Sequence, residues 1–173
     1  MKKPKLLLIN PYIYDFAAYD LWSKPLGLLY LAGVLEQNGC DIFLLDALDR
    51  WHPEVLKLQH RTTPKSRTYG DGHFYKEAVA KPEEFSNVRR TYSRYGMPPD
   101  LLRSNLEKIR NDHAIDAILV TSGMTYWYRG VHEVIRMCRE IFPAAKILLG
   151  GIYATLFTGF AQRQSGADFV FKG

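Results

Sequence analysis

Five short apolar runs alternate with helix-like stretches along the 173 residues, and turn residues close the runs at Asn10-Pro11, Asp46 and Gly150-Gly151. Alternation of this kind predicts an α/β fold, with a parallel sheet and helices on both of its faces. Handedness rules leave few ways to connect such units, and a flavodoxin-like (Rossmann-like) five-stranded order fits best. One irregular insertion, residues 48–99, interrupts the rhythm after the second strand.

The first run, Lys5 to Ile9, reads as a buried strand ended by Asn10-Pro11. A loop rich in aromatics follows (Tyr12, Tyr14, Phe16, Tyr19, Trp22), and Ser23 with Pro25 signals a helix start. Leu26, Leu29, Tyr30, Gly33 and Val34 lie at helical spacing and suit a packed face. Asn38-Gly39 stops that helix, and Cys40 to Leu45 forms the second strand. The insertion carries His52, His60, His73 and turn signals at Tyr69-Gly70-Asp71-Gly72 and Gly96-Met97-Pro98-Pro99, so little regular structure is expected in it. A loop of that length in a compact domain is expected to be functional or partly disordered. Regular alternation then resumes. Asp100 to Asn111 reads as a helix with Leu102, Leu106 and Ile109 inward, and Asp116 to Val120 as the third strand. Arg129 to Ile141 reads as a helix burying Val131, Val134, Ile135 and Cys138. Lys146 to Leu149 is the fourth strand. Ile152 to Gln164 reads as one helix with Tyr153, Leu156, Phe157 and Phe160 on one face, capped by Gly166. Asp168 to Phe171 opens a fifth strand. A fold of this type usually adds a helix there, so the chain is expected to be one domain of a longer protein.

Apolar residues make up 47% and charged residues 24%, which excludes a disordered chain. No run approaches the ~18 apolar residues of a membrane span. Met1-Lys2-Lys3 is basic, but Lys5 to Ile9 is too short for a secretory apolar region. Cys40 and Cys138 are too few and too far apart for a disulfide framework or a metal site. Small buried cysteines in a reducing, cytoplasmic setting are the expectation. The net charge of +5 is local: residues 50–98 hold ten Lys/Arg against five Asp/Glu, and the remainder balances.

Open parallel sheets bind ligands beyond the carboxyl ends of their strands. Those ends carry Asn10-Pro11-Tyr12, Asp46, Thr121-Ser122-Gly123-Met124, Gly150-Gly151 and Phe171-Lys172-Gly173, which are rich in glycine and hydroxyl groups and poor in titratable ones. Gly150-Gly151 either admits a ligand close to the backbone or makes an ordinary strand-to-helix turn. No G-x-G-x-x-G or Walker A sequence is present. Asp46 ends a strand where a dinucleotide fold holds a ribose, but without those glycines it reads as a solvated turn residue. No nucleophile, base and orienter assemble from the strand ends, so no catalytic residue is assigned. The histidines of the insertion lack tight ligand spacing, and no metal site is assigned.

Several stretches together resemble the N-terminal cobalamin-binding domain of B12-dependent radical SAM proteins. They are Leu8-Ile9-Asn10-Pro11, Lys24-Pro25-Leu26-Gly27-Leu28-Leu29-Tyr30-Leu31-Ala32, Gly39-Cys40-Asp41 to Asp46, Leu148-Leu149-Gly150-Gly151-Ile152-Tyr153-Ala154-Thr155, and Gly166-Ala167-Asp168-Phe169-Val170 to Gly173. Cobalamin domains of the methionine synthase type carry Asp-x-His-x-x-Gly after strand one, Ser-x-Leu after strand three and Gly-Gly after strand four. Ser122-Gly123-Met124 resembles the second and Gly150-Gly151 matches the third. The first is missing, and with it the histidine that would ligate cobalt from below. The radical SAM branch commonly lacks it too.

The resemblance implies cobalamin bound at the strand ends by Asn10, Pro11, Tyr12, Tyr14, Thr121, Ser122, Gly123, Met124, Thr125, Tyr126, Gly150, Gly151, Tyr153 and Thr155. Ser122, Gly150 and Gly151 would wall a slot for the dimethylbenzimidazole tail, with Tyr153 or Thr155 lining it. Tyr12, Tyr14, Met124, Tyr126 and Trp127 either meet the corrin face or form packing core. The lower face of cobalt would be open, bound to water or covered by a side chain. The cluster motif Cys-x-x-x-Cys-x-x-Cys is absent from the chain. The resemblance therefore puts the 4Fe-4S cluster and S-adenosylmethionine in a following C-terminal domain, with methyl transfer a common use of the cobalamin. Two other functions compete. One is a flavodoxin-like module for flavin or a nucleotide. The other is a docking or nucleic-acid module built on the insertion, whose Arg61, Lys65, Arg67, Arg89, Arg90 and Arg94 interleave with aromatic rings. The insertion is expected to cover the cofactor edge or to dock on another domain.

Overall fold

The computed structural model describes residues 3–21 and 24–173. Met1 and Lys2 of the basic start, Trp22 of the aromatic loop and the helix-start residue Ser23 lie outside the described residues.

In chain order the elements are β1 (Lys5–Asn10), β2 (Ile13–Asp15), β3 (Tyr19–Asp20), α1 (Leu26–Gln37), β4 (Asp41–Asp46) and α2 (Pro53–Leu58). Then come β5 (Gly72–His73), β6 (Lys76–Ala78), β7 (Ser93–Tyr95), α3 (Pro99–Asp112), β8 (Ala117–Val120) and α4 (Tyr128–Ile141). The chain closes with β9 (Lys146–Leu149), α5 (Ile152–Leu156), α6 (Thr158–Gln164) and β10 (Phe169–Val170). The main sheet is parallel throughout, in the order β4-β1-β8-β9-β10. Chain order therefore runs 2-1-3-4-5 across the sheet, the flavodoxin-like arrangement, with the switch point between β1 and β8.

The two faces of the sheet are closed very differently. Leu7, Ile9, Ile118, Val120, Ile147 and Leu149 point into the main core, where they meet Leu102 and Leu106 of α3, Val131, Val134, Ile135 and Cys138 of α4, and Ala154 and Ala161 of α5 and α6. Burial pushes the Cys138 thiol up to about 12, so it behaves as a small apolar side chain. Leu8 and Leu119 point the other way, into a smaller cluster with Leu28 of α1, flanked by Leu6, Ala32, Leu35, Ile42 and Leu148.

Two helical faces correct the sequence reading. In α1 only Leu28 is fully buried, whereas Leu26, Leu29, Tyr30 and Val34 are exposed, Tyr30 at 76%. The helix is apolar nearly all round, so spacing alone could not say which face packs. The single helix expected over Ile152 to Gln164 is broken at Phe157, where Thr158 Oγ1 donates to the Ala154 carbonyl (2.7 Å). The break re-aims the second half: Tyr153, Ala154 and Ala161 are buried, and Leu156, Phe157 and Phe160 face solvent.

The insertion is largely irregular but carries short regular pieces that its composition did not reveal. β7 pairs antiparallel with both β2 and β6, and β5 with β3. The pairings with β2 and β3 need a partner far away in sequence, which explains why local pattern missed them. Tyr92 of the insertion stacks on Tyr14, and Phe16 packs on Phe85 and Tyr92. The insertion thus folds over residues 13–20, which leave the carboxyl end of β1. Among the described residues no helix is long and apolar enough to cross a membrane.

A buried ion pair ties the insertion down. Arg50 Nε donates to Asp20 Oδ2 (2.8 Å), and its other nitrogens donate to the carbonyls of Lys65 (3.1 Å) and Gly70 (2.9 Å). Removing one partner of a buried pair strands the other charge, at a cost of about 3–5 kcal/mol. Arg50→Met should therefore lower the urea midpoint and open residues 61–71 to trypsin. An unchanged midpoint and an unchanged digestion pattern would show that the pair does not hold the insertion.

Candidate functional site

The half-covered sheet face leaves a slot of about 530 Å³ between α1 and the strands. Leu6, Ala117, Leu119 and Leu148 line its sheet side; Leu28, Leu31 and Leu35 of α1 line the other. Thr121, Gly150, Gly151 and Phe171 frame it at the carboxyl ends of β8, β9 and β10. The strand backbones beneath it are engaged in the ladders β1–β8 and β8–β9. Thr121 is the one lining side chain among the described residues that carries a polar atom. The result is a long apolar recess opening at the end of the sheet where ligands bind. Its volume lies inside the ~300–1,000 Å³ range of small-molecule sites.

The glycines around this recess have different reasons to be glycine. A Cβ on Gly150 or on Gly27 would meet nothing within 4 Å. Neither position shows a left-handed backbone. The protein's own packing does not require glycine at either place, and both border the slot, so the missing side chains leave room at its walls. Gly151 is the opposite case. Its φ of +92° is left-handed, and a Cβ there would lie 2.5 Å from the Ser122 carbonyl oxygen.

Ser122 joins the ends of β8 and β9. Its Oγ donates to the Gly150 carbonyl (2.7 Å) and accepts from the Ala154 N–H (3.4 Å), while its own carbonyl accepts from the Ile152 N–H (2.8 Å). The side chain is buried and bonded within the turn. It holds the Gly150-Gly151 loop in place and does not itself line the recess. Thr155 Oγ1 donates to the Gly151 carbonyl (3.0 Å) and accepts from the Gly173 N–H (3.3 Å), which brings the chain end beside the same loop.

The remaining sequence candidates lie around this centre in three groups. Asn10 Nδ2 donates to Asp46 Oδ1 (2.7 Å), which also accepts from the Leu48 N–H (2.9 Å); burial of Asp46 raises its pKa. Asp46 is thus a half-buried, bonded strand-end group, where the sequence suggested a solvated turn. Pro11 is buried behind Asn10. Tyr12 and Tyr14 are core residues, Tyr12 only 1% exposed, and both phenols donate to Glu133 Oε2 (3.1 and 2.7 Å). Burial pushes the Tyr14 phenol up to about 12 and Tyr12 in the same direction. Arg129 lies over the Tyr14 ring, 4.5 Å from its centroid, and pairs with Glu133 (3.3 Å).

Gly123, Met124, Thr125 and Tyr126 form the turn after β8. Gly123 sits under the Trp127 ring, and Trp127 Nε1 donates to Asp15 Oδ2 (2.8 Å). Met124 and Tyr126 are exposed. Thr125 and Tyr126 border a second hollow of about 310 Å³ with Tyr128, Phe157 and Phe160, floored by Tyr153. Tyr153 is buried there against His132, whose Nε2 lies 2.9 Å from its phenol oxygen; it does not line the slot. Of the sequence candidates, Thr121, Gly150 and Gly151 come together at the slot. The α1 residues Gly27, Leu28, Leu31 and Leu35 were missed. The available signal was a glycine in the first turn of a helix, with no local need for it. Among the described residues no group of His, Cys, Asp and Glu is arranged to hold a metal ion, and no histidine lines the slot.

The two adjacent glycines should respond oppositely to a methyl group. Gly151→Ala should destabilise by roughly 1–3 kcal/mol through left-handed strain and the clash with Ser122. Gly150→Ala should stay within about 0.5 kcal/mol of the parent. Urea unfolding of the two variants side by side checks this; equal losses would refute the assignment of Gly150 to open space.

No protein-family profile matches the chain. One curated relative, cytidylyl-2-hydroxyethylphosphonate methyltransferase from Streptomyces wedmorensis, is 25% identical over 171 residues. The alignment takes in 98% of this chain but 26% of that enzyme, so the chain spans about a quarter of the relative's length. The chain is distantly similar to one stretch of a methyltransferase.

Proposed function

We propose that the chain is a cobalamin-holding domain of a larger radical SAM protein that transfers methyl groups. The observation that carries the reading is the slot: apolar, open at the carboxyl ends of the strands, and bordered by two glycines whose absent side chains leave space. A dimethylbenzimidazole tail is flat, long and mostly apolar, and Leu28, Leu31, Leu119 and Leu148 offer it the matching surface. The Thr121 hydroxyl stands at the mouth beside Gly150 and Gly151, where a sugar-phosphate end needs a polar partner. The distant similarity to a methyltransferase over nearly the whole chain supports the same reading.

Cobalamin, when bound, supplies a cobalt that can carry a methyl group. The work of this chain is then to hold and orient it. Ser122 keeps the Gly150-Gly151 loop at the slot mouth, and α1 closes one side. No acid, base or nucleophile at the slot is needed for that task. The 4Fe-4S cluster and S-adenosylmethionine would belong to another part of the longer protein, since this chain's two free cysteines cannot hold the cluster.

The test is retention of corrinoid. The chain is mixed with hydroxocobalamin and desalted, and the visible spectrum is recorded for the parent, Gly27→Leu and Gly150→Leu. The parent should retain the corrinoid. Each variant should retain it at least about tenfold more weakly, equivalent to ~1.4 kcal/mol, with an unchanged urea midpoint. Equal retention by all three proteins would sink the slot as the tail site, and no retention by the parent would sink the cobalamin reading.

A further inference from the structure

We infer that the slot selects the lower base of the corrinoid it takes: a benzimidazole-type base is admitted and a purine base is disfavoured. The inference rests on the cobalamin reading above and concerns which member of that cofactor class fits.

The argument is one of hydrogen-bond supply. An adenine in the lower-base position carries an exocyclic amino donor and several ring-nitrogen acceptors. A dimethylbenzimidazole carries two methyl groups at the corresponding edge. Inside the slot the walls are Leu28, Leu31, Leu35, Leu119 and Leu148, none with a polar side-chain atom. Backbone groups do not make up the difference. Ala117 and Leu119 sit in ladder register with Leu6 and Leu8 on one side and with Lys146 and Leu148 on the other. The roof is the α1 helix, whose backbone groups are turned along its own axis. Thr121, the sole lining hydroxyl among the described residues, stands at the mouth. A purine pushed past it would leave donor and acceptors unpaired against leucine, whereas the two methyl groups of the benzimidazole would gain apolar contact. Apolar pockets discriminate against added polar atoms only moderately, so the expected preference is about 10- to 100-fold.

The experiment compares three corrinoids on the 173-residue chain by equilibrium dialysis with spectral readout. They are cobalamin, its analogue with adenine as lower base, and cobinamide, which lacks the nucleotide tail. Cobalamin should bind about 10- to 100-fold more tightly than the adenine analogue, with cobinamide also weaker than cobalamin. Leu31→Gln should narrow the gap between cobalamin and the adenine analogue: it puts an amide into the slot wall at a position exposed enough to tolerate it. Equal binding of cobalamin and the adenine analogue, both above cobinamide, would overturn the selection while leaving the tail in the slot. Equal binding of all three would overturn it by showing that the tail makes no use of the slot. Binding of none would remove the inference together with the cobalamin reading.

Discussion

The hydrogen bonds between the turn after β8 and the turn after β9 hold the carboxyl end of the sheet together. Ser122 uses its hydroxyl and its carbonyl on the segment from Gly150 to Ala154, and Gly151 adopts a left-handed backbone so that it can pass close beside Ser122. A buried hydroxyl with both roles satisfied is far more restrictive than an apolar contact, because each lost bond leaves an unpaired group in the core. The direction of α5, the placement of Tyr153 and the position of Gly150 at the slot mouth all follow from it. So does the absence of Ser122 from the slot lining: a side chain committed to shaping the site is not free to line it.

The second organising feature is the unequal closure of the sheet. Residues of α2 to α6 close the main core on one face of the sheet, and α1 covers part of the other. Strands buried on both faces are apolar on both faces, and beside α1 the sheet presents Leu6, Leu119 and Leu148 to the recess. A fully covered sheet would have no recess beneath its carboxyl edge. Gly27 and Gly150 border this recess, and a Cβ at either would meet nothing within 4 Å.

The sheet was legible in the sequence because each strand is a continuous apolar run bounded by turn residues, as at Asn10-Pro11 and Gly150-Gly151. The amphipathic helix α4 was equally clear, since Val131, Val134, Ile135 and Cys138 are separated by polar residues. Helix α1 was not. With apolar residues on almost every side, its pattern carried no face, and Leu26, Leu29, Tyr30 and Val34 were assigned to a core they do not enter. The candidate site was legible to the same extent. Thr121, Gly150 and Gly151 could be placed because strand ends in a parallel sheet converge by topology. Tyr12, Tyr14 and Tyr153 could not be separated from them, because sequence places a residue at a strand end without saying to which side it turns.

The tyrosines show what the aromatic richness of the strand ends does. Glu133 accepts from both Tyr12 and Tyr14, and Arg129 neutralises the carboxylate while lying against the Tyr14 ring. Tyr92 then stacks on Tyr14 and brings the insertion with it. These rings form the seam between the α/β core and the insertion, and the buried Arg50–Asp20 pair closes its far side. The basic excess of the insertion follows the same logic. Arg50 is buried on Asp20, Arg94 pairs with Glu77, and Arg67 with Asp71. Arg61, Lys65, Arg89 and Arg90 remain on the exposed surface of the insertion. No residue of the insertion lines the slot. The insertion braces the segment that leaves β1.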